Sequence, residues 1–194
     1  MTASIPVQRL SANAKDAYRT HLLALPPADV RLRFGAPMAA AAIAAYVDRI
    51  DFDADEIFGV LGDAMRLDGA AHLAFADEFA ELGVSVLPSA RGRGIGHALV
   101  ARAAEHARNR SVPRLFMHCL AENAAMVRIA RKAGMDVIVH TGEADAQVTL
   151  PPMTPTSLAS EALADRIALY DYALKSNVEG WRRVGIALAG GKSP

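Results

Sequence analysis

The chain has 194 residues, 52% of them hydrophobic and 22% charged, with a formal net charge of zero. That length and balance exclude an intrinsically disordered chain and fit one folded domain with a sizeable core and room for an appendage. Zero net charge excludes an overall field that would draw in a polyanion, so no nucleic-acid partner is expected. The single cysteine, Cys119, has no partner for an internal disulfide, and the N-terminal stretch has no apolar leader core. The longest apolar run, Ala36 to Val47, is too short to cross a bilayer. A soluble, cytoplasmic protein with no membrane partner is the expectation.

Ile5 to Leu10 reads as a first strand, and Asn13 to Leu25 as a helix stopped by Pro26 and Pro27. Pro37 stands where a first-turn proline suits a helix, here the alanine-rich run reaching Ile50. Glu56–Leu61, Ala70–Ala76 and Ala80–Leu87 are short β-like runs, and Asp68-Gly69 between the first two is a hairpin signal. Ile95, Leu99, Ala103 and Ala107 recur at helical spacing and predict a helix from Gly94 to Arg108. Leu115–Leu120 predicts a further strand, and Asn123 the cap of a helix that runs through Lys132 and is closed by Gly134. Val137–His140 and Gln147–Leu150 read as a last hairpin around Thr141-Gly142-Glu143. The predicted class is α/β, with a mixed, largely antiparallel sheet flanked by helices.

Pro151, Pro152 and Pro155 mark a boundary between a domain at 1–152 and a C-terminal helical extension at 153–194. In that extension Leu163, Ile167, Tyr170, Leu174, Trp181 and Val184 share one helical stripe. The default expectation is that the stripe covers the parent domain; a homodimer contact is its second use.

The segment 86-VLPSARGRGIGHALV-100 joins a predicted strand to a predicted helix. A helix start offers free N–H groups and the positive end of its dipole, and glycines let backbone and phosphate approach. Arg91 and Arg93 add charge and forked donors. His97 breaks the spacing of a dinucleotide fingerprint, and no Gly-Lys-Ser/Thr follows for a P-loop. Taken alone, the turn is equally a phosphate cradle or a flexible strand–helix junction.

The run from Val84 or Val86 through Arg91, Gly94 and Gly96 resembles the acyl-CoA signature of GNAT-fold N-acetyltransferases, whose core R-x-x-G-x-G it matches. The strand to Leu120 followed by Asn123 and its helix is similar to that family's second element. The resemblance implies an acyl-CoA N-acyltransferase fold with acetyl-CoA as co-substrate, an amine as acceptor, and no metal. It places the pantetheine arm along the backbone of Val84, Val86 and Leu87. The pyrophosphate would lie on Arg91, Gly92, Arg93, Gly94, Ile95 and Gly96, with Asn123 beside the arm. The helix-capping role of Asn123 is equally compatible with the sequence.

Acyl transfer to an amine needs a base for the ammonium proton and a donor for the thioester oxygen. Val86, through its backbone N–H, is the donor candidate that the resemblance implies. Glu81 is the candidate base: it starts the strand leading to the turn, with the small Gly83 and Ser85 ahead of it on the same face. A surface carboxylate is the other reading of Glu81. The run AELGVSV, with RGRGIGHALV and Leu120, Asn123 and Met126, also resembles the Pat-type protein lysine acetyltransferase domain, in which the equivalent glutamate is the base. Where many family members carry a tyrosine acid this chain has Ala130, leaving Cys119 and His118 as stand-ins on the adjacent strand. The reading is an N-acetyltransferase acting on a small amine or a protein lysine by direct attack in a ternary complex. The alternatives are a non-catalytic acyl-CoA-binding regulatory module and an interaction protein assembled through its C-terminal helix.

Overall fold

The computed structural model describes residues 5–190, with side chains described through Trp181. Seven strands form one sheet: β1 (Gln8–Leu10), β2 (Glu56–Leu61), β3 (Leu67–Phe75), β4 (Ala80–Val86), β5 (Arg114–Leu120), β6 (Asp136–His140) and β7 (Glu143–Thr149). Their spatial order is β1-β2-β3-β4-β5-β7-β6. All neighbours are antiparallel except β4 and β5. Six α-helices accompany them among the described residues: α1 (Lys15–Leu23), α2 (Pro27–Phe34), α3 (Ala40–Asp48), α4 (Ile95–Asn109), α5 (Ala124–Lys132) and α6 (Pro155–Gly190). The α/β class expected from the sequence is the one observed.

Alternation along β4 divides the core into two layers. Ala80, Leu82 and Val84 join Leu99 and Val100 of α4 and Ala130 of α5 in one buried cluster. On the other face Ile57 and Ala70 pack with Tyr18 and Leu22 of α1 and Val47 of α3. The capping prediction for α5 holds: the Asn123 carboxamide oxygen accepts from the Met126 N–H at 3.1 Å, and Gly134 closes the helix at φ +78°.

Three sequence expectations need correction. Asp68-Gly69 is not a turn but lies inside β3, where Gly69 faces Val60 on one side and Val86 on the other. The Asp68 carbonyl accepts from the Leu87 N–H at 2.8 Å and its carboxylate meets Arg93 at 3.3 Å, so the pair's polar groups are satisfied within the sheet. The turn falls at residues 62–66, closed by the Gly62 N–H on the Arg66 carbonyl at 2.8 Å. Pro26-Pro27 ends α1 but also starts α2, with Pro27 in its first turn and Asp29 close behind.

The third correction concerns α6. Leu163, Ile167, Tyr170, Leu174 and Trp181 are all exposed, so the stripe does not cover the domain; the side chain of Val184 lies outside the described residues. The face that docks is polar. Arg102 of α4, only 5% exposed, meets Glu161 at 2.9 Å and Asp165 at 2.5 Å. His106 Nδ1 reaches Glu161 at 2.5 Å, and the Asn109 carboxamide donates to the same carboxylate at 2.6 Å. Lys175 donates to the Leu61 carbonyl at 2.5 Å and Gln8 to that of Ala168 at 3.0 Å. A buried guanidinium needs a carboxylate more than the exposed leucines need cover, and this sets the helix's rotation.

Candidate active site

The β4–β5 pairing is short. Ala80 faces Leu115 and Glu81 faces Phe116, and the register goes no further. Beyond that point the two strands part, and a cleft of 380 Å³ lies against Val84, Ser85 and Val86 of β4. α5 forms one bank with Met126, Ile129 and Lys132, and α2 overhangs with Asp29, Leu32 and Arg33. Two ion pairs tie α2 to the glycine turn and to the segment just before α5. Asp29 meets Arg91 of the glycine turn at 2.6 Å, and Arg31 pairs with Glu122 just before α5.

The floor of the cleft is the glycine turn, and its three glycines have different tasks. Gly92 and Gly94 stand at φ +75° and +86°, a region costly for residues with a Cβ. Gly94 caps α4 without any side-chain bond, so the first amides of that helix are not consumed by a capping side chain. A Cβ on Gly96 would lie 2.8 Å from Ile129 Cδ1, so this glycine allows α4 and α5 to approach. The cleft thus meets the positive end of a 15-residue helix, with Arg91, Arg128 and Lys132 at its edge.

Of the residues singled out in the sequence, Val84, Val86, Arg91, Gly92, Gly94, Ile95, Gly96 and Asn123 line this cleft. Leu87 is buried in the cluster beneath α1–α3, and the Arg93 side chain turns away to Asp68. Glu81 is exposed on β4 near the point where the strands part, between Ala74 of β3 and Phe116 of β5. Cys119 is 5% exposed and packs with Val127 and Ala144. Burial, with Asp145 adding to it, raises its thiol pKa. His118 points outward to Asp145 at 2.7 Å. Neither stand-in for the acid is among the cleft-lining residues, and neither is Glu81. Ala130, at the tyrosine position, is a core residue at 1% exposure.

The sequence reading missed that Pro27–Phe34 form a helix over the cleft, and it missed the polar groups beneath that helix. A Cβ on Gly83 would lie 2.1–2.4 Å from the Arg33 guanidinium, so Arg33 rests directly on β4 two residues past Glu81. Arg33 donates to the Tyr46 hydroxyl at 3.3 Å. The Tyr46 hydroxyl is 2.6 Å from His72 Nδ1, and His72 Nε2 is 3.0 Å from the Asp55 carboxylate. A carboxylate only accepts, so Nε2 carries the proton and Nδ1 accepts from Tyr46. Burial dominates His72 and lowers its pKa despite Asp55. His21 is lowered for the same reason. Its Nδ1 donates to the Leu67 carbonyl at 2.9 Å, and its Nε2 accepts from the Ser85 hydroxyl at 2.9 Å. Ser85 is the only hydroxyl among the side chains lining the cleft. The signal available in the sequence was Gly83 itself, a glycine in mid-strand, which marks close approach by another group.

A family model described as the acetyltransferase (GNAT) family matches residues 30–135. No curated protein matches the chain. Among solved structures, the GNAT domain of S. lividans PAT superposes with a TM-score of 0.63 at 18% identity, covering 74% of this chain and 89% of that one. Spermidine N-acetyltransferase from Vibrio cholerae, in complex with CoA and spermine, gives a TM-score of 0.59 at 17% identity, covering 74% and 94%. YncA from Salmonella typhimurium, a putative acetyltransferase with its cofactor acetyl-CoA, gives 0.56 at 16% identity, covering 78% and 97%. At these identities the likeness is one of fold.

Proposed function

The chain belongs to the acetyltransferase (GNAT) family of acyltransferases, and we propose that it moves the acetyl group of acetyl-CoA to a primary amine by direct attack in a ternary complex in the cytoplasm. Residues 1–152 would be the catalytic unit and 153–194 an extension to it. The observation that carries this reading is the cleft between β4 and β5, floored by a turn with two positive-φ glycines and a side-chain-free helix start.

The residues present fit an acyl-CoA. Gly92 and Gly94 bring bare backbone to the helix start, and Arg91, Arg128 and Lys132 supply charge for phosphates. The β4 edge at Val84 and Val86 is released from β5 and suits an extended arm as an added strand, with Arg91 Nε donating to the Val86 carbonyl at 3.4 Å. Bound acetyl-CoA supplies an activated acyl thioester. The chain's contribution is to orient it, to polarise its oxygen with a β4 amide at Val86, and to take the amine's proton on Glu81, while the C–S bond breaks and the CoA thiolate leaves unassisted or with a proton from water. Acceptors of two kinds, a small amine or a protein lysine, suit the exposed position of Glu81.

Isothermal calorimetry tests the cradle. Wild type should bind acetyl-CoA, and Gly94→Glu, which puts a carboxylate and a strained φ at the helix start, should not. Full affinity in that variant removes the cradle. A thiol-release screen over amines, polyamines, amino acids and lysine peptides then identifies the acceptor. The second reading is a regulatory module that binds acyl-CoA without turnover; Ala130 in the core, in place of a tyrosine, favours it. Binding without thiol release for any acceptor selects that reading.

A further inference from the structure

α6 shows its apolar side to solvent. Leu163 is 59% exposed, Ile167 41%, Tyr170 74%, Leu174 67%, Val178 63% and Trp181 77%. The spacing has a heptad character: Ile167, Leu174 and Trp181 fall seven apart, as do Leu163, Tyr170 and Asn177. These are the a and d columns of a two-helix seam. The helix cannot roll to bury them, because Arg102, Asn109 and Gln8 hold its opposite face through Glu161, Asp165 and the Ala168 carbonyl.

We propose that this face is the interface between two copies of the chain, with their α6 helices antiparallel about a twofold axis. In an antiparallel pair, an a residue of one helix faces a d residue of the other. A single register satisfies the whole seam: Tyr170 faces Leu174 of the second copy, Ile167 faces its Asn177, and Leu163 faces its Trp181. Each contact recurs in reverse, as a closed twofold interface requires. Asn177 is the one polar residue in the columns, and this register sets it against Ile167 of the second copy.

Three features select a second copy over other occupants. Beside Leu163 and Ile167 lies a groove of 520 Å³ between α4 and α6, with Ile5, Val7, Ala98 and Ala101 on its apolar side and Arg102 and Glu105 of α4 also lining it. This is where the proposed register delivers the second copy's Trp181. At roughly 100–200 Å² exposed per side chain, the six residues offer on the order of 800 Å², what one partner contributes to a standard interface. Acidic and basic residues interleave along the helix, as Asp165, Arg166, Asp171, Lys175 and Glu179. A membrane-surface helix would instead carry a basic polar face.

Trp181 is the only tryptophan in the chain and therefore reports on its own interface. Analytical ultracentrifugation of the full chain, from about 1 to 100 µM, should show the mass rising from 20.6 kDa toward twice that value. The tryptophan emission should shift to the blue in step with the mass. Tyr170→Asp and Leu174→Asp, both at exposed positions, should each keep the native circular dichroism, remain monomeric and keep a red-shifted emission. A monomer throughout the range overturns the proposal. So does a dimer whose tryptophan stays red-shifted and quenchable, which would put the interface elsewhere. A blue shift only on adding anionic phospholipid vesicles also overturns it, in favour of a membrane surface.

Discussion

Replacing Glu161 with glutamine tests how α6 is held to the body. The carboxylate has 14% side-chain exposure and accepts from Arg102 at 2.9 Å, His106 at 2.5 Å and Asn109 at 2.6 Å. Burial alone would raise its pKa. The hydrogen bonds from Asn109, His106 and Arg102 overcome that and bring it from 4.5 down to about 2. At about 1.4 kcal/mol per pH unit, the displacement corresponds to about 3 kcal/mol at neutral pH. Asp165 stays on Arg102 in the variant, so the expected loss is about 2–3 kcal/mol. The folded-state value is depressed, so this stabilisation is complete above pH 4.5 and disappears as pH falls toward 2. Near pH 3 about half of it remains, and by about pH 2 almost none. Urea unfolding of wild type and Glu161→Gln at neutral pH and near pH 3 measures both points. The two free energies of unfolding should converge on acidification. An equal gap at both pH values, or a neutral-pH loss below about 0.5 kcal/mol, refutes the reasoning.

Gly83→Ala drives a methyl to within 2.1–2.4 Å of the Arg33 guanidinium. Relief requires Arg33 to leave Tyr46, with a cost of about 1–3 kcal/mol in thermal unfolding; an unchanged melting temperature would mean that Arg33 is free to move. Glu81→Gln should lower turnover by about 10²–10⁴-fold and leave acetyl-CoA affinity unchanged in calorimetry. Equal turnover would remove Glu81 as base. Asn123→Ala deprives the Met126 N–H of its acceptor and should cost about 1 kcal/mol of stability, with Asn123→Asp restoring it. If Asn123→Asp restores stability but not acetyl-CoA affinity, the carboxamide also serves the ligand.

Several elements could be read from local pattern because local chemistry decides them. β2 spans Glu56–Leu61 as its apolar run predicted, and α5 runs from Asn123's cap to Gly134's positive φ as the residue types demand. α2 was hidden because eight residues beginning at Pro27 carry little apolar periodicity, and a double proline marks a stop as readily as a start. Asp68-Gly69 misled because turn preference is weak beside a ladder that satisfies both backbone groups and gives the carboxylate a partner.

The glycine turn shows the same division at the site. Residue types in VLPSARGRGIGHALV determined that a strand would end there, a helix would begin, and backbone would be exposed between them. Sequence order could not say that Gly96 serves contact with Ile129, that Arg93 leaves for Asp68, or that Arg33 rests on Gly83. The same holds for α6, whose heptad stripe is written in its spacing while the choice of docking face depends on Arg102, His106 and Asn109 of α4. Spacing defines which residues share a helix face or a strand side through bonds a few residues apart. Which face is buried depends on the electrostatic needs of groups some fifty positions away, and only the folded chain brings those together.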